Sequence, residues 1–224
     1  VLDASAEALA RFPRIDRLVL NAAVWSVVKR YAPSGHERTW ATNVLGHHLL
    51  LRLLEPRLAE SAPARVVIVA SGLAHSLDED DVSFDRRPYR GVAAYAQSKQ
   101  AQRMLTRAYA RRLAPSGVSV CAMHPGFTRT TAFARGGGIE GAIAGLGALL
   151  FGKAPRKAAD TAVWLATSDA LEGVSGGYFQ DRNELPCGFV DPLREDRLHA
   201  LCDAQVEVSL AKVLLDDARA QEAA

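Results

Sequence analysis

Arg65-Val66-Val67-Ile68-Val69-Ala70-Ser71 is the stretch whose reading decides the fold. Its middle is apolar at consecutive positions rather than alternate ones. Such a run predicts a strand buried on both faces, as in a parallel sheet. Working outward, Ile15 to Leu20, Val118 to Met123 and Gly177 to Phe179 are further short apolar runs. Helical spacing fills the intervals. Leu2, Ala6, Leu9 and Phe12 precede a stop at Pro13. Residues 35–58 form a second helical stretch ending around Pro56, and others run from Tyr95 to Leu113, from Ala158 to Thr167 and over residues 194–214. Strands alternating with helices predict an α/β fold with a doubly wound parallel sheet. No repeat or linker divides the chain, so residues 1–224 read as one domain. In such a sheet, ligands bind beyond the carboxyl ends of the strands. The polar residues there are Asn21, Ser71 and the turn His124-Pro125-Gly126.

Composition excludes several classes. The 224 residues are 49% hydrophobic and 23% charged, which is ordinary globular usage. A formal charge of +2 gives no electrostatic footprint for nucleic acid or an anionic membrane. Arg86-Arg87 and Arg111-Arg112 read as solvated faces. The three cysteines, Cys121, Cys187 and Cys202, are scattered and odd in number. They argue against a disulfide framework or a zinc site and for a reducing, cytoplasmic setting. No apolar run reaches the ~18 residues of a membrane span.

The chemistry concentrates in Tyr95-Ala96-Gln97-Ser98-Lys99. Four residues of helix turn by about 400°, so phenol and ammonium share one face. A free tyrosine titrates near pH ~10 and is a poor acid or base at neutrality. A neighbouring ammonium favours the phenolate and lowers that pKa. Read alone, the motif also describes a surface helix. Asn43 could equally bond backbone within its helix, Ser71 could cap a strand end, and Thr130 could cap a helix.

Taken in order along the chain, these pieces resemble the short-chain dehydrogenase/reductase family. Leu20-Asn21-Ala22-Ala23 is similar to the family's turn after its fourth strand, with two departures. Asn43 in Thr42-Asn43-Val44-Leu45-Gly46-His47 matches the family's helix asparagine. Ser71, Tyr95 and Lys99 match its catalytic positions, and Pro125-Gly126-Phe127-Thr128-Arg129-Thr130 its segment against the nicotinamide. Phe84-Asp85-Arg86-Arg87-Pro88-Tyr89, Gly46-His47 and Gly177-Tyr178-Phe179-Gln180-Asp181-Arg182 resemble the retinol-dehydrogenase-like branch.

The resemblance implies a Rossmann-like fold and hydride exchange between NAD or NADP, with NADP favoured, and an alcohol or carbonyl carbon. Tyr95 is then the proton donor and Ser71 the partner of the substrate oxygen. Lys99 would tune Tyr95 and hold the nicotinamide ribose, and Asn43 would hold a relay water. Asn21, Ala22, Pro125, Gly126, Thr128 and Thr130 would line the cofactor. The small apolar residues from Ala132 to Leu150 suggest a hydrophobic substrate. A non-catalytic binding or regulatory member and a sugar-nucleotide epimerase relative are the competing assignments.

The resemblance further implies that strand 17–21 is the family's fourth. The first strand and its glycine-rich loop are then absent from the sheet. Two expectations follow. The chain by itself binds the dinucleotide weakly and is inactive, and it carries an exposed apolar edge near Val19 that invites self-association. Gly141-Ala142-Ile143-Ala144-Gly145-Leu146-Gly147 fits the glycine pattern but follows the wrong strand, and reads as a substrate-covering helix. His47 and His48 point about 100° apart on a helix, cannot easily share a metal and read as packing or surface residues, so no metal site is expected. Asp78 to Asp81 reads as a solvated loop, and His124 as structural.

Overall fold

The computed structural model describes residues 1–126 and 152–222. Five strands form one sheet in sequence order: β1 (Arg17–Leu20), β2 (Ala64–Val69), β3 (Val118–Met123), β4 (Tyr178–Gln180) and β5 (Asn183–Leu185). The first four run parallel, and β5 closes the far edge antiparallel to β4. The α/β fold with a parallel sheet, expected from the sequence, is therefore the one observed.

The central strand shows why its consecutive apolar run is needed. Val66 and Ile68 of β2 join Val118 and Val120 in a core with Leu51, Leu54, Leu58, Met104 and Leu105. Val67 points the other way, packing with Cys121, Met123, Leu165 and Phe179. Both faces are thus covered, which a strand with alternating polarity could not satisfy.

The first face is covered by helices. α1 (Leu2–Arg11) lies against α3, and α2 (Arg38–Trp40) continues through a π turn (Ala41–Leu45) into α3 (Gly46–Glu60). α4 (Gly91–Leu113) crosses β3, and α6 (Pro192–Glu222) packs along α4. α5 (Pro155–Thr167) covers the opposite face against β1, β2 and β3. Glu37, fully buried, opens α2 by accepting from the Thr39 and Trp40 amides at 2.8 Å each. The Tyr89 hydroxyl donates to the same carboxylate at 3.1 Å, tying the 84–90 loop to this helix start.

Three sequence expectations need correction. The second helix does not end near Pro56 but runs on to Glu60. A proline costs roughly 3 kcal/mol inside a helix. Burying Leu54 and Leu58 offsets this, at about 1.5–3 kcal/mol per side chain. The last strand has a partner, β5, reached by a two-residue turn in which Asp181 and Arg182 both have positive φ, 50° and 62°. That is the hairpin turn normally signalled by Asn-Gly or Asp-Gly. Here the Arg182 guanidinium holds Asp160 instead, with Nη2 to Oδ1 at 2.6 Å.

Finally, Asp81 and Arg87 are not simply solvated. Asp81 is buried and accepts from the Asp85 amide at 2.7 Å, while Arg87 lies 4.1 Å above the Phe84 ring. The exposed edge expected at Val19 is present. β1 has no neighbour on its outer side among the described residues, and Val19 is 46% exposed.

Candidate active site

α4 starts where backbone meets backbone. An added Cβ on Gly91 would lie 2.1 Å from the Ser26 carbonyl oxygen. Only glycine allows that approach, and it fixes the helix start one turn before Tyr95. The Tyr95 phenol lies beside the Ser71 hydroxyl, just past the end of β2, close enough for the two to interact. Ser71 Oγ also accepts from the Leu73 amide at 3.1 Å, which orients it. One turn further on, Lys99 places Nζ 5.5 Å from the Tyr95 ring centroid. Ser71, Tyr95 and Lys99 therefore converge, as the sequence implied.

Lys99 is only 1% exposed. Its ammonium donates to the Val69 carbonyl at 2.8 Å and to Gln102 Oε1 at 2.9 Å. Both partners are neutral, so burial dominates and pulls the ammonium down to about 7. Tyr95 moves in the opposite direction. Burial raises its phenol above the usual value, and the Ser71 hydroxyl offsets only part of this. The expected lowering of Tyr95 by Lys99 is thus not what this environment produces. Burial thus pushes the lysine toward its neutral form and holds the proton on the phenol.

Asn43 sits in the π turn and is fully buried. Its side chain accepts from the Val24 amide at 2.8 Å and donates to the Val24 carbonyl and Ser98 Oγ at 3.0 Å each. The amide group thus clasps the loop after β1 to α4 rather than reaching Lys99. The connection runs through Gln102, whose Nε2 donates to the Asn43 carbonyl at 2.6 Å and contacts His47 Nδ1 at 2.8 Å. Gln102 is the residue that motif reading missed. Its signal was the spacing: three positions after Lys99, on the same helical face. Burial lowers His47 to about 4, with the Lys99 charge adding to the effect, so its ring is neutral.

His48, the next residue, faces Tyr109 and Asp203 instead. The adjacent histidines therefore do diverge. His124 packs its imidazole onto Gly72, where a Cβ would come within 2.9 Å of Nε2.

The remaining positions lie along the strand ends. Asn21 and Ala22 are exposed beyond β1. Asn21 and Pro125 line a groove of about 550 Å³ with Val19, Val69, Met123 and the small side chains of α5. Gly126 has φ +78°, a left-handed turn that glycine favours. Thr128, Thr130, the Gly141–Gly147 segment and the Ala132–Leu150 stretch lie outside the described residues. A nicotinamide cofactor suits what is present. An ammonium carries three donors, and Lys99 spends two on the protein, leaving one for a ligand hydroxyl. Beside it the groove offers an apolar wall at the carboxyl ends of β1, β2 and β3.

A parallel α/β sheet thus places a hydroxyl just past β2, with a phenol and a buried ammonium on α4 beside it. The short chain dehydrogenase pattern matches residues 1–136, and the chain belongs to that family. It is 40% identical over 179 residues to mouse retinol dehydrogenase 13, covering 76% of this chain and 53% of the relative. A probable oxidoreductase from Streptomyces antibioticus is 39% identical over 193 residues, with 81% and 64% covered. The crystal structure of an uncharacterized protein from Mycobacterium paratuberculosis superposes with a TM-score of 0.67 at 25% identity, over 92% of this chain and 72% of that one. The chain spans about half to two-thirds of the length of these curated relatives.

Proposed function

We propose that this protein interconverts an alcohol and a carbonyl with NAD or NADP, Tyr95 carrying the proton. The observation that carries the proposal is the gathering of Ser71, Tyr95 and a buried, neutrally partnered Lys99, whose Nζ is 5.5 Å from the Tyr95 ring centroid. When bound, the nicotinamide supplies or accepts the hydride. The chain's own residues do the rest. Tyr95 donates its phenolic proton to the substrate oxygen as negative charge develops there. Ser71 Oγ–H donates to the same oxygen and stabilises that charge. The remaining Lys99 donor binds a ribose hydroxyl, while Gln102 and the Val69 carbonyl hold Nζ in place. Asn21, Ala22, Pro125 and Gly126 shape the wall against which the cofactor lies.

A phenol held above its usual pKa keeps its proton at neutrality. That protonated state is the one the proton-donor role of Tyr95 requires when a carbonyl is reduced. The small apolar residues from Ala132 to Leu150 suggest a hydrophobic substrate. Retinol dehydrogenase-like relatives support an alcohol or aldehyde of that kind. A cytoplasmic setting accords with three free cysteines; no helix among the described residues is long and apolar enough to cross a membrane.

The decisive experiment compares wild type with Tyr95→Phe in the full-length protein. Loss of the proton donor lowers kcat by about 10²–10⁴-fold with the fold retained. Equal turnover would remove the catalytic assignment and leave a binding protein. A second measurement concerns the outer edge of β1. A whole dinucleotide needs a phosphate-binding loop next to this strand. The 224-residue chain therefore binds NADPH only weakly in a fluorescence titration, and micromolar affinity would contradict that.

A further inference from the structure

A second cluster lies far from Ser71. His48 comes from α3, and His199 and Asp203 come from α6. Tyr109, which touches the cluster, is 109 − 95 = 14 residues beyond Tyr95 on α4, about 21 Å along the helix axis. One nitrogen or oxygen from each of the three residues lies within 4.8 Å of the others. His48 Nε2 is 3.0 Å from Asp203 Oδ1, and His199 Nδ1 is 3.0 Å from Asp203 Oδ2. His199 and Asp203 are four residues apart, so they share one face of α6. The His48 side chain is completely buried, and that of His199 nearly so.

Two imidazoles and one carboxylate are a donor set suited to zinc and its first-row neighbours. The surroundings supply what such a site needs. Behind His48, Tyr109 Oη is 2.5 Å from Nδ1 and fixes the ring, as an outer partner of a metal-binding histidine does. In front, a cavity of about 230 Å³ reaches Tyr109, His199 and Asp203, with Glu55 and Glu207 on its rim. It is large enough for a water as fourth ligand. Two cations oppose the ion, Arg52 and Arg112. Arg52 Nη1 sits 3.0 Å from Asp203 Oδ1 and 3.6 Å from Glu207 Oε1. Its side chain is 40% exposed and can turn wholly to Glu207. Arg112 also borders the cavity.

We propose that His48, His199 and Asp203 form a divalent transition-metal site, with Zn²⁺ as its ion and Arg52 as the competing cation on Asp203. Occupation would cross-link α6 to α3 at a distance from the reaction centre.

Arg52 makes the proposal testable in both directions. The purified protein is titrated with Co²⁺, followed by its ligand-field absorption, and with Zn²⁺, followed by calorimetry. One ion per chain is expected. Asp203→Asn and His199→Gln each weaken binding at least tenfold, and Arg52→Met tightens it at least tenfold. Circular dichroism checks each variant's fold. Arg52→Met leaves all three ligands in place, so it decides the matter if a ligand variant unfolds. Absence of saturable binding in both wild type and Arg52→Met overturns the site, as does binding that Asp203→Asn and His199→Gln leave unchanged.

Discussion

Lys99 on α4 and Glu195, which faces α4 from the start of α6, are both buried, and they are treated in opposite ways. Glu195 at the start of α6 is fully buried yet doubly paired. Arg107 Nε reaches its Oε1 at 2.9 Å, Arg111 binds its Oε2, and the Asp191 amide donates to Oε1 at 3.3 Å. Among the described residues Lys99 meets a backbone carbonyl and a side-chain amide oxygen and no carboxylate. The first arrangement fastens α6 to α4. The second is a poor choice for stability, because a buried cation without a counter-ion costs free energy unless it sheds its proton. Its pKa near 7 expresses that cost. The difference teaches where to look for chemistry. A fold keeps an uncompensated charge where a ligand will use it, and neutralises the others.

Breaking the compensated pair should cost most. Glu195→Gln leaves two guanidiniums facing a neutral amide and removes charge-assisted hydrogen bonds. A loss of about 2 kcal/mol in urea unfolding is expected. Both arginines are partly exposed and can rehydrate, which holds the figure there. An unchanged midpoint would show that α6 is fastened by its apolar contacts alone.

Lys99→Met probes the other side and should cost little or nothing in stability. A buried ion replaced by an apolar side chain of similar size is often neutral or stabilising. Its signature is in the pH dependence. Between pH 7 and 10.5, the unfolded lysine keeps a proton that the folded one has shed. The unfolded state binds more protons there, so wild-type stability rises with pH across that window. Below about 7 both states are protonated and the term is constant. Lys99→Met lacks this slope, so it compares best with wild type below pH 7 and worse as pH climbs. A wild-type-minus-variant difference that stays flat from pH 7 to 10 would show Lys99 to be an ordinary solvated lysine.

Legibility differed between these regions for the same reason. The Ser71–Tyr95–Lys99 set could be read because strand ends and a helical spacing place it, and both are local patterns. The β-branched run at 66–69 announced a two-faced strand, and the structure covers both faces. Pro56 misled because a local penalty was weighed without the burial of Leu54 and Leu58. β5 was missed because Asn183-Glu184-Leu185 has no strand pattern; its pairing depends on the turn at Asp181 and Arg182. The spacing of Gln102 from Lys99 is local, but its contact with the Asn43 carbonyl joins two elements and has no sequence pattern, so the residue was missed.

What the sequence determined by itself was the alternation of elements, the family membership carried by ordered motifs, and which side chains gather at the strand ends. Periodicity and spacing suffice for that, because they act over a few residues. Only the tertiary structure decided the electrical state of those side chains. Lys99 is drawn to near neutrality and Tyr95 held protonated by how deeply α4 presses them into the core, with Gly91 permitting the close approach at Ser26. Desolvation is a property of everything packed around a group, and that surrounding is assembled from parts of the chain far apart in sequence.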